Sequence, residues 1–230
     1  MVRDRRVDVH EIDSGVGQQI FKVGEAFFDA VTAFGAQVLV IGPGLGQSIS
    51  SDVVTEFIAR FPGPVVVDAD GLNAVARATS YDAADPRRVT MTPHVGELKR
   101  LLEARGVSCN LDASDESRRA AACALVEAYG CVAVLKGRGT VVTDGDRLYV
   151  NETGNSGMAS GGMGDVLSGV IAALIGQGMA PLEAAILGVY LHGLAGDFAA
   201  EELGRWSITA TDLLEYLPEA FCEYDVSESP

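Results

Sequence analysis

Short, wholly apolar runs alternate along the chain with stretches in which apolar residues return every three or four positions. Val38–Ile41, Val65–Val67, Val89–Met91 and Cys131–Leu135 are runs of the first kind. They are too short for helices and lack polar alternation, so they read as strands buried on both faces. Between them, Asp52–Phe61 carries Val53, Val54, Phe57 and Ile58 at helical spacing. Leu72–Ala78, Val95–Ala104 (after Pro93) and Ser114–Tyr129 also read as helices. Thr140–Val150 reads as a hairpin, two β-rich arms around Asp144-Gly145. Beyond the glycine-rich stretch Gly154–Gly164 the period turns helical over Asp165–Ile175, Pro181–Leu203 and Thr211–Leu217, with Pro181 suited to a first turn. Residues 225–230 are expected to form a frayed tail.

Strands alternating with helices predict an α/β fold, a mostly parallel central sheet with helices on both faces. No repeat, low-complexity block or linker interrupts the pattern, so residues 1–230 are expected to form a single domain. With 48% hydrophobic and 21% charged residues, the 230-residue chain can build a substantial core, which excludes disorder as its general state. No apolar run approaches the roughly 18 residues that cross a bilayer. Met1–Arg6 is charged rather than signal-like, so a cytoplasmic protein without a membrane partner is expected. The net charge of −15, from 17 basic and 32 acidic residues, argues against nucleic acid as a partner. Lysine occurs only at Lys22, Lys99 and Lys136. That acidic, lysine-poor composition suits a high-salt cytoplasm, and a GC-rich genome produces the same bias. Cys109, Cys123, Cys131 and Cys222 show neither a CxxC nor histidines at metal-ligand spacing. They read as reduced, mostly buried thiols.

In open parallel sheets, sites form where strands end at their carboxyl side. Gly42–Gly46, Asp68–Asn73, Thr92–Glu97 and Lys136–Thr140 fall there, and a fifth segment, Gly161–Asp165, opens a helix. The glycines of that fifth segment let backbone N–H groups face an anion, with the helix dipole adding favourable charge. Gly161, Gly162, Met163 and Gly164 therefore form a candidate anion hole. A carboxylate at its mouth, Asp165, makes sense as a general base on a hydroxyl that attacks a phosphoryl group, and equally as a common helix-start residue. Lys136, Gly137, Arg138, Gly139 and Thr140 offer a cation, free backbone and a hydroxyl, suited to nucleotide phosphate or ribose, or to a solvated turn. Gly42–Gly46 lacks the spacing of a dinucleotide fingerprint. His94 reads as a structural or a site histidine, and His192 as packed or at an interface. Asp68 and Asp70 either bind a metal through water or end the strand.

Taken in order, these segments resemble a known family. Val-Leu-Val-Ile-Gly-Pro-Gly-Leu-Gly46, Val-Val-Asp-Ala-Asp-Gly-Leu-Asn73, Thr-Pro-His-Val-Gly-Glu97, Leu-Lys-Gly-Arg-Gly-Thr140 and Gly-Asn-Ser-Gly-Met-Ala-Ser-Gly-Gly-Met-Gly-Asp-Val-Leu-Ser-Gly169 are similar to the ADP/ATP-dependent NAD(P)H-hydrate dehydratases of the ribokinase-like superfamily. The resemblance implies a metabolite-repair lyase that dehydrates the S epimer of hydrated NADH or NADPH. ADP or ATP serves as co-substrate with Mg2+, and phosphate and AMP or ADP are released. It implies that Gly44, His94 and Asp165 face the hydrate, that Lys136–Thr140 and Gly164 hold the nucleotide, and that Asn155 helps order the region. It further implies a homotetramer, and a strand and helix upstream that this chain is expected to lack. Two rivals remain: a small-molecule kinase of the same superfamily, and a nucleotide-binding module without turnover.

Overall fold

The computed structural model describes residues 28–83, 85–110 and 114–227. The chain divides into two units, Met1–Ala36 and Gln37–Pro230. In the first, residues 28–33 are helical and Thr32 Oγ1 donates to the Phe28 carbonyl.

The second unit holds one six-stranded sheet: β1 (Leu39–Ile41), β2 (Val65–Val67), β3 (Val89–Met91), β4 (Val132–Leu135), β5 (Val141–Thr143) and β6 (Leu148–Val150). Its spatial order is the sequence order, with β1–β4 parallel and β5 and β6 added antiparallel. Every step between parallel neighbours moves the same way across the sheet. Right-handed crossovers therefore put all the connecting helices on one face. Those are α1 (Ser51–Arg60), α2 (Ala69–Arg77), α3 (Val95–Ala104) and α4 (Asp115–Tyr129), each packed on the next. The carboxyl-terminal helices pack on the other face. α5 (Met163–Gly176) lies on β1 and β2, α6 (Pro181–Leu203) on β3–β5, and α7 (Ala210–Ser227) against α6. A core cluster sits between these layers, where Val66, Val134 and Val142 of the sheet meet Leu167, Ile171 and Leu174 of α5 and Leu182 and Val189 of α6. The expected α/β fold with helices on both faces is what the chain adopts.

Several boundaries differ from expectation, each for a local reason. α2 starts at Ala69 rather than Leu72, because Asp68 caps it, its side chain accepting from the Ala69 amide at 2.8 Å. α5 starts at Met163 rather than Asp165, capped by Gly162 at φ +86°, a left-handed conformation open to glycine. α7 runs on past Pro218 to Ser227 instead of stopping at Leu217. Pro218 deprives the Leu214 carbonyl of its partner, but Leu214 is 52% exposed and water can serve it. Burial of Ala220 and the Tyr190–Tyr224 edge contact at 6.2 Å hold the extra turns on α6. The expected frayed tail is thus helical through 227, and 228–230 lie outside the described residues. Of the four cysteines only Cys131 is buried, and Cys222 is exposed. Among the described residues, no helix is long and apolar enough to cross a membrane.

Candidate active site

The parallel ladder does not stop where the strands do. The amide of Asp68 donates to the Ile41 carbonyl (3.1 Å), that of Thr92 to Val67 (3.1 Å) and that of Lys136 to Pro93 (2.8 Å). These bonds set the loops after β1–β4 side by side along one edge of the sheet, in register. Gly42 follows β1 so closely against α2 that a Cβ there would land on the Asp68 carbonyl oxygen. The loop's far end is pinned by Asp70, whose Oδ2 accepts from the Gly46 amide at 2.8 Å. Asp70 thus anchors the loop rather than ending the strand. Gly44, at φ +71° with open space where a Cβ would point, is exposed between these anchors.

Asp68 is the hub. It is 1% exposed, and Ala69 after it adopts φ +48°, a left-handed turn that costs a non-glycine residue on the order of 1 kcal/mol. Lys136 Nζ donates to Asp68 Oδ1 at 2.5 Å, and Ser168 Oγ donates to Asp68 Oδ2 at 2.7 Å. The carboxylate thereby joins the ends of β2 and β4 to the first turns of α5. It is an engaged ion-pair partner, not a free metal ligand. A Cβ on Gly164 would lie 3.1 Å from Lys136 Nζ, so the ammonium sits directly against the opening of α5.

The Lys136–Thr140 loop is shaped from within and behind. Thr140 Oγ1 donates to the Gly137 carbonyl at 2.9 Å, and the Arg118 guanidinium donates to the Leu135 carbonyl at 3.2 Å. Gly137 and Gly139 both take positive φ. The approach to α5 is held by α6. Asp197 accepts from the Gly154 amide (2.7 Å) and from Asn155 Nδ2 (3.0 Å), while Asn155 Oδ1 accepts from the Gly157 amide (2.9 Å).

His94 is the N-cap of α3. Its Nδ1 accepts from the amides of Gly96 (2.9 Å) and Glu97 (3.3 Å), and Glu97 Oε2 accepts from the His94 amide (2.8 Å), completing a capping box. With Nδ1 an acceptor, this network assigns the ring proton to Nε2. That nitrogen lies only loosely, at 3.5 Å, from Glu97 Oε1, and the side chain is 56% exposed. His192 is packed inside the chain, Nε2 at 2.9 Å from the Met163 carbonyl in the first turn of α5. Burial pushes its pKa down to about 4; the Met163 bond opposes this and the Lys136 charge adds to it.

Asp165, at the third position of α5, is exposed, and its carboxylate has no hydrogen-bond or ion-pair partner among the described residues. It lines the end of a groove of about 580 Å³ between α5 and α7, otherwise walled largely by apolar side chains such as Val170, Leu174 and Phe221. The structure therefore brings Lys136, Gly164 and Asp68 together, while Asp70 holds the Gly42–Gly46 loop. Three residues of this region were not singled out beforehand: Ser168, Arg118 and Asp197. Ser168 had a usable signal, since it lies one helical turn after Gly164. The other two come from distant elements and had none.

The family model describing NAD(P)H-hydrate dehydratases matches residues 21–219. The chain is 45% identical over 183 residues to the bifunctional NAD(P)H-hydrate repair enzyme Nnr of Moorella thermoacetica, covering 79% of this chain and 34% of that protein. It therefore spans about a third of the length of the curated relatives it matches first. The ADP/ATP-dependent NAD(P)H-hydrate dehydratase of Bacillus subtilis, co-crystallised with ATP and Mg2+, superposes with a TM-score of 0.71 at 30% identity, over 82% of this chain and 65% of that one. A ribokinase-like superfamily protein of Enterococcus faecalis superposes with a TM-score of 0.72 at 25% identity, over 89% of this chain and 68% of that one. The matched span runs through every strand end that builds the site and through the opening of α5, and the chain belongs to the NAD(P)H-hydrate dehydratase family.

Proposed function

We propose that this chain dehydrates the S epimer of hydrated NADH or NADPH at the expense of ADP or ATP. The observation that carries the reading is the opening of α5: glycine-flanked amides, the Lys136 ammonium against Gly164, and an exposed Asp165 carboxylate with no partner among the described residues. Such a helix start favours phosphoryl oxygens through its free N–H groups and dipole. Lys136–Thr140 hold the nucleotide, and Gly161, Gly162, Met163 and Gly164 receive its terminal phosphoryl group. Gly44 and the Nε2–H of His94 face the hydrate.

In this scheme Asp165 takes the proton of the hydrate's hydroxyl as that oxygen attacks the terminal phosphorus of ADP or ATP, and AMP or ADP leaves. The hydroxyl has become a phosphate ester, a far better leaving group. The ring nitrogen lone pair then drives carbon–oxygen cleavage. Phosphate departs, a neighbouring ring carbon loses a proton to it, and the dihydronicotinamide is restored. Among the described residues no three His, Cys, Asp or Glu side chains gather into a metal cage. That donor set suits Mg2+ carried on nucleotide phosphates and water, with the exposed Asp165 carboxylate beside it. When bound, the ion neutralises phosphoryl charge.

The test is to incubate the chain with the S hydrate of NADH, magnesium and ADP or ATP, following NADH absorbance and free phosphate. Appearance of both supports the reading. A stable phosphorylated product, or nucleotide binding without phosphate release, overturns it. Asp165→Asn keeps the shape of the carboxylate but cannot take the proton. Turnover should fall about a hundred- to ten-thousand-fold with AMP affinity retained, and near-normal turnover removes the base assignment.

A further inference from the structure

Asp68 is a buried charge that the scheme above leaves without a task. We propose that Asp68 and Ser168 are positioning residues that hold the Lys136 ammonium at the opening of α5, so that it meets the terminal phosphoryl group of the nucleotide rather than its ribose or base. The proposal rests on the nucleotide-binding reading above. Both carboxylate oxygens of Asp68 are committed. Oδ1 accepts from the Ala69 amide (2.8 Å) and from Lys136 Nζ (2.5 Å), and Oδ2 accepts from Ser168 Oγ (2.7 Å). The hydroxyl of Ser168 also lies 3.0 Å from the Gly164 carbonyl, and the closer, charged acceptor is the stronger one. The carboxylate is therefore fixed from two sides before it meets the lysine.

Lys136 Nζ has three protons, of which Asp68 takes one. The side chain keeps 19% of its surface exposed, against 1% for Asp68. Its remaining donors thus reach the edge of the site while the pair's negative end stays inside. Gly164 completes the geometry: its missing side chain leaves the ammonium in contact with the helix start, where a Cβ would lie 3.1 Å from Nζ and 3.6 Å from Asp68 Oδ2. Stability alone does not call for this arrangement. A buried ion pair repays its desolvation poorly, and apolar side chains of similar size stabilise as well or better. Orientation of a cation beside an anion-binding helix end is what the pair adds.

The experiment compares ADP with AMP, which differ by the terminal phosphoryl group. Calorimetric titrations in magnesium are run on the wild-type chain, Asp68→Asn and Ser168→Ala, each checked for a cooperative melt. In Asp68→Asn the ammonium loses its counter-charge and turns toward water. ADP affinity should fall about ten- to a hundredfold, the span of one charge-assisted hydrogen bond, while AMP affinity changes less than about twofold. Ser168→Ala leaves the ion pair but frees one carboxylate oxygen, and a loss of about threefold, again confined to ADP, is expected. Equal losses for both nucleotides, or no loss in a folded variant, overturn the proposal. If Asp68→Asn fails to fold, Ser168→Ala decides by the same comparison. A wild-type chain that binds ADP yet yields no NADH sinks the dehydratase reading alone. One that binds neither nucleotide sinks both.

Discussion

At the scale of single residues, His94 combines two roles on its two ring nitrogens. Nδ1 caps α3, while Nε2 carries the proton and stays accessible. Asparagine also caps helices well, whereas alanine does not. His94→Asn should therefore keep the melting temperature close to wild type and still weaken hydrate binding about tenfold, since the outward N–H is lost. His94→Ala should lose the same binding and in addition about 1 kcal/mol of stability. Chemical melts and hydrate titrations of both variants separate the roles; unchanged hydrate affinity in both leaves His94 with capping alone. Half of this was legible in the sequence. Glu97, three residues on, is the visible half of a capping box, but histidine is not among the usual caps, and the tautomer follows only from the amides that meet it. Asp68 was similarly half-read. Its place at a strand end was plain, but its partners lie 68 and 100 residues away, and no local pattern predicts them.

At the scale of elements, the parallel strands were readable almost to the residue, because a strand buried on both faces leaves an unbroken apolar run. The helix ends were less so. α2 and α5 begin where a cap and a left-handed glycine allow, and α7 survives its proline through packing on α6, a tertiary effect. That packing contains a titratable group. His192 ties α6 to the first turn of α5 through the Met163 carbonyl, and burial holds its pKa at about 4 against 6.5 for the free ring. Between those values the unfolded chain binds more protons than the folded one, so stability falls as pH drops through this window and levels off below about 4. The loss from this group is on the order of 3 kcal/mol. Urea melts at pH 7.5, 6 and 4.5 should show the decline, and His192→Asn, which keeps a donor for Met163 but cannot titrate, should show a visibly shallower one. Parallel slopes in the two proteins would mean that other groups set the acid limit.

At the scale of the whole molecule, the sheet order β1 to β6 could not be read from the strands themselves; it follows from one-way crossovers once the structure is in hand, and it explains why three carboxyl-terminal helices are needed to cover the second face. Charge was legible from the start. The chain carries −15 with 32 acidic and 17 basic residues. The ion pairs among described residues are few, and the one most shielded from water, Lys136–Asp68, serves the site rather than the surface. Most carboxylates therefore face water and one another. Their mutual repulsion reaches about 10 Å at 0.1 M salt and about 3 Å at 1 M, so molar salt should remove nearly all of it. The melting temperature is expected to rise by several degrees between 0.02 and 2 M potassium chloride at pH 7.5, most steeply below about 0.5 M, where screening length changes fastest. Potassium chloride sits mid-way in its effect on apolar burial, so a parallel series in sodium sulfate, which strengthens burial, separates the two causes. A rise in both salts that saturates in the chloride assigns the effect to charge. A flat chloride series would instead leave the acidic, lysine-poor composition to codon usage, with the surface carboxylates too far apart to repel.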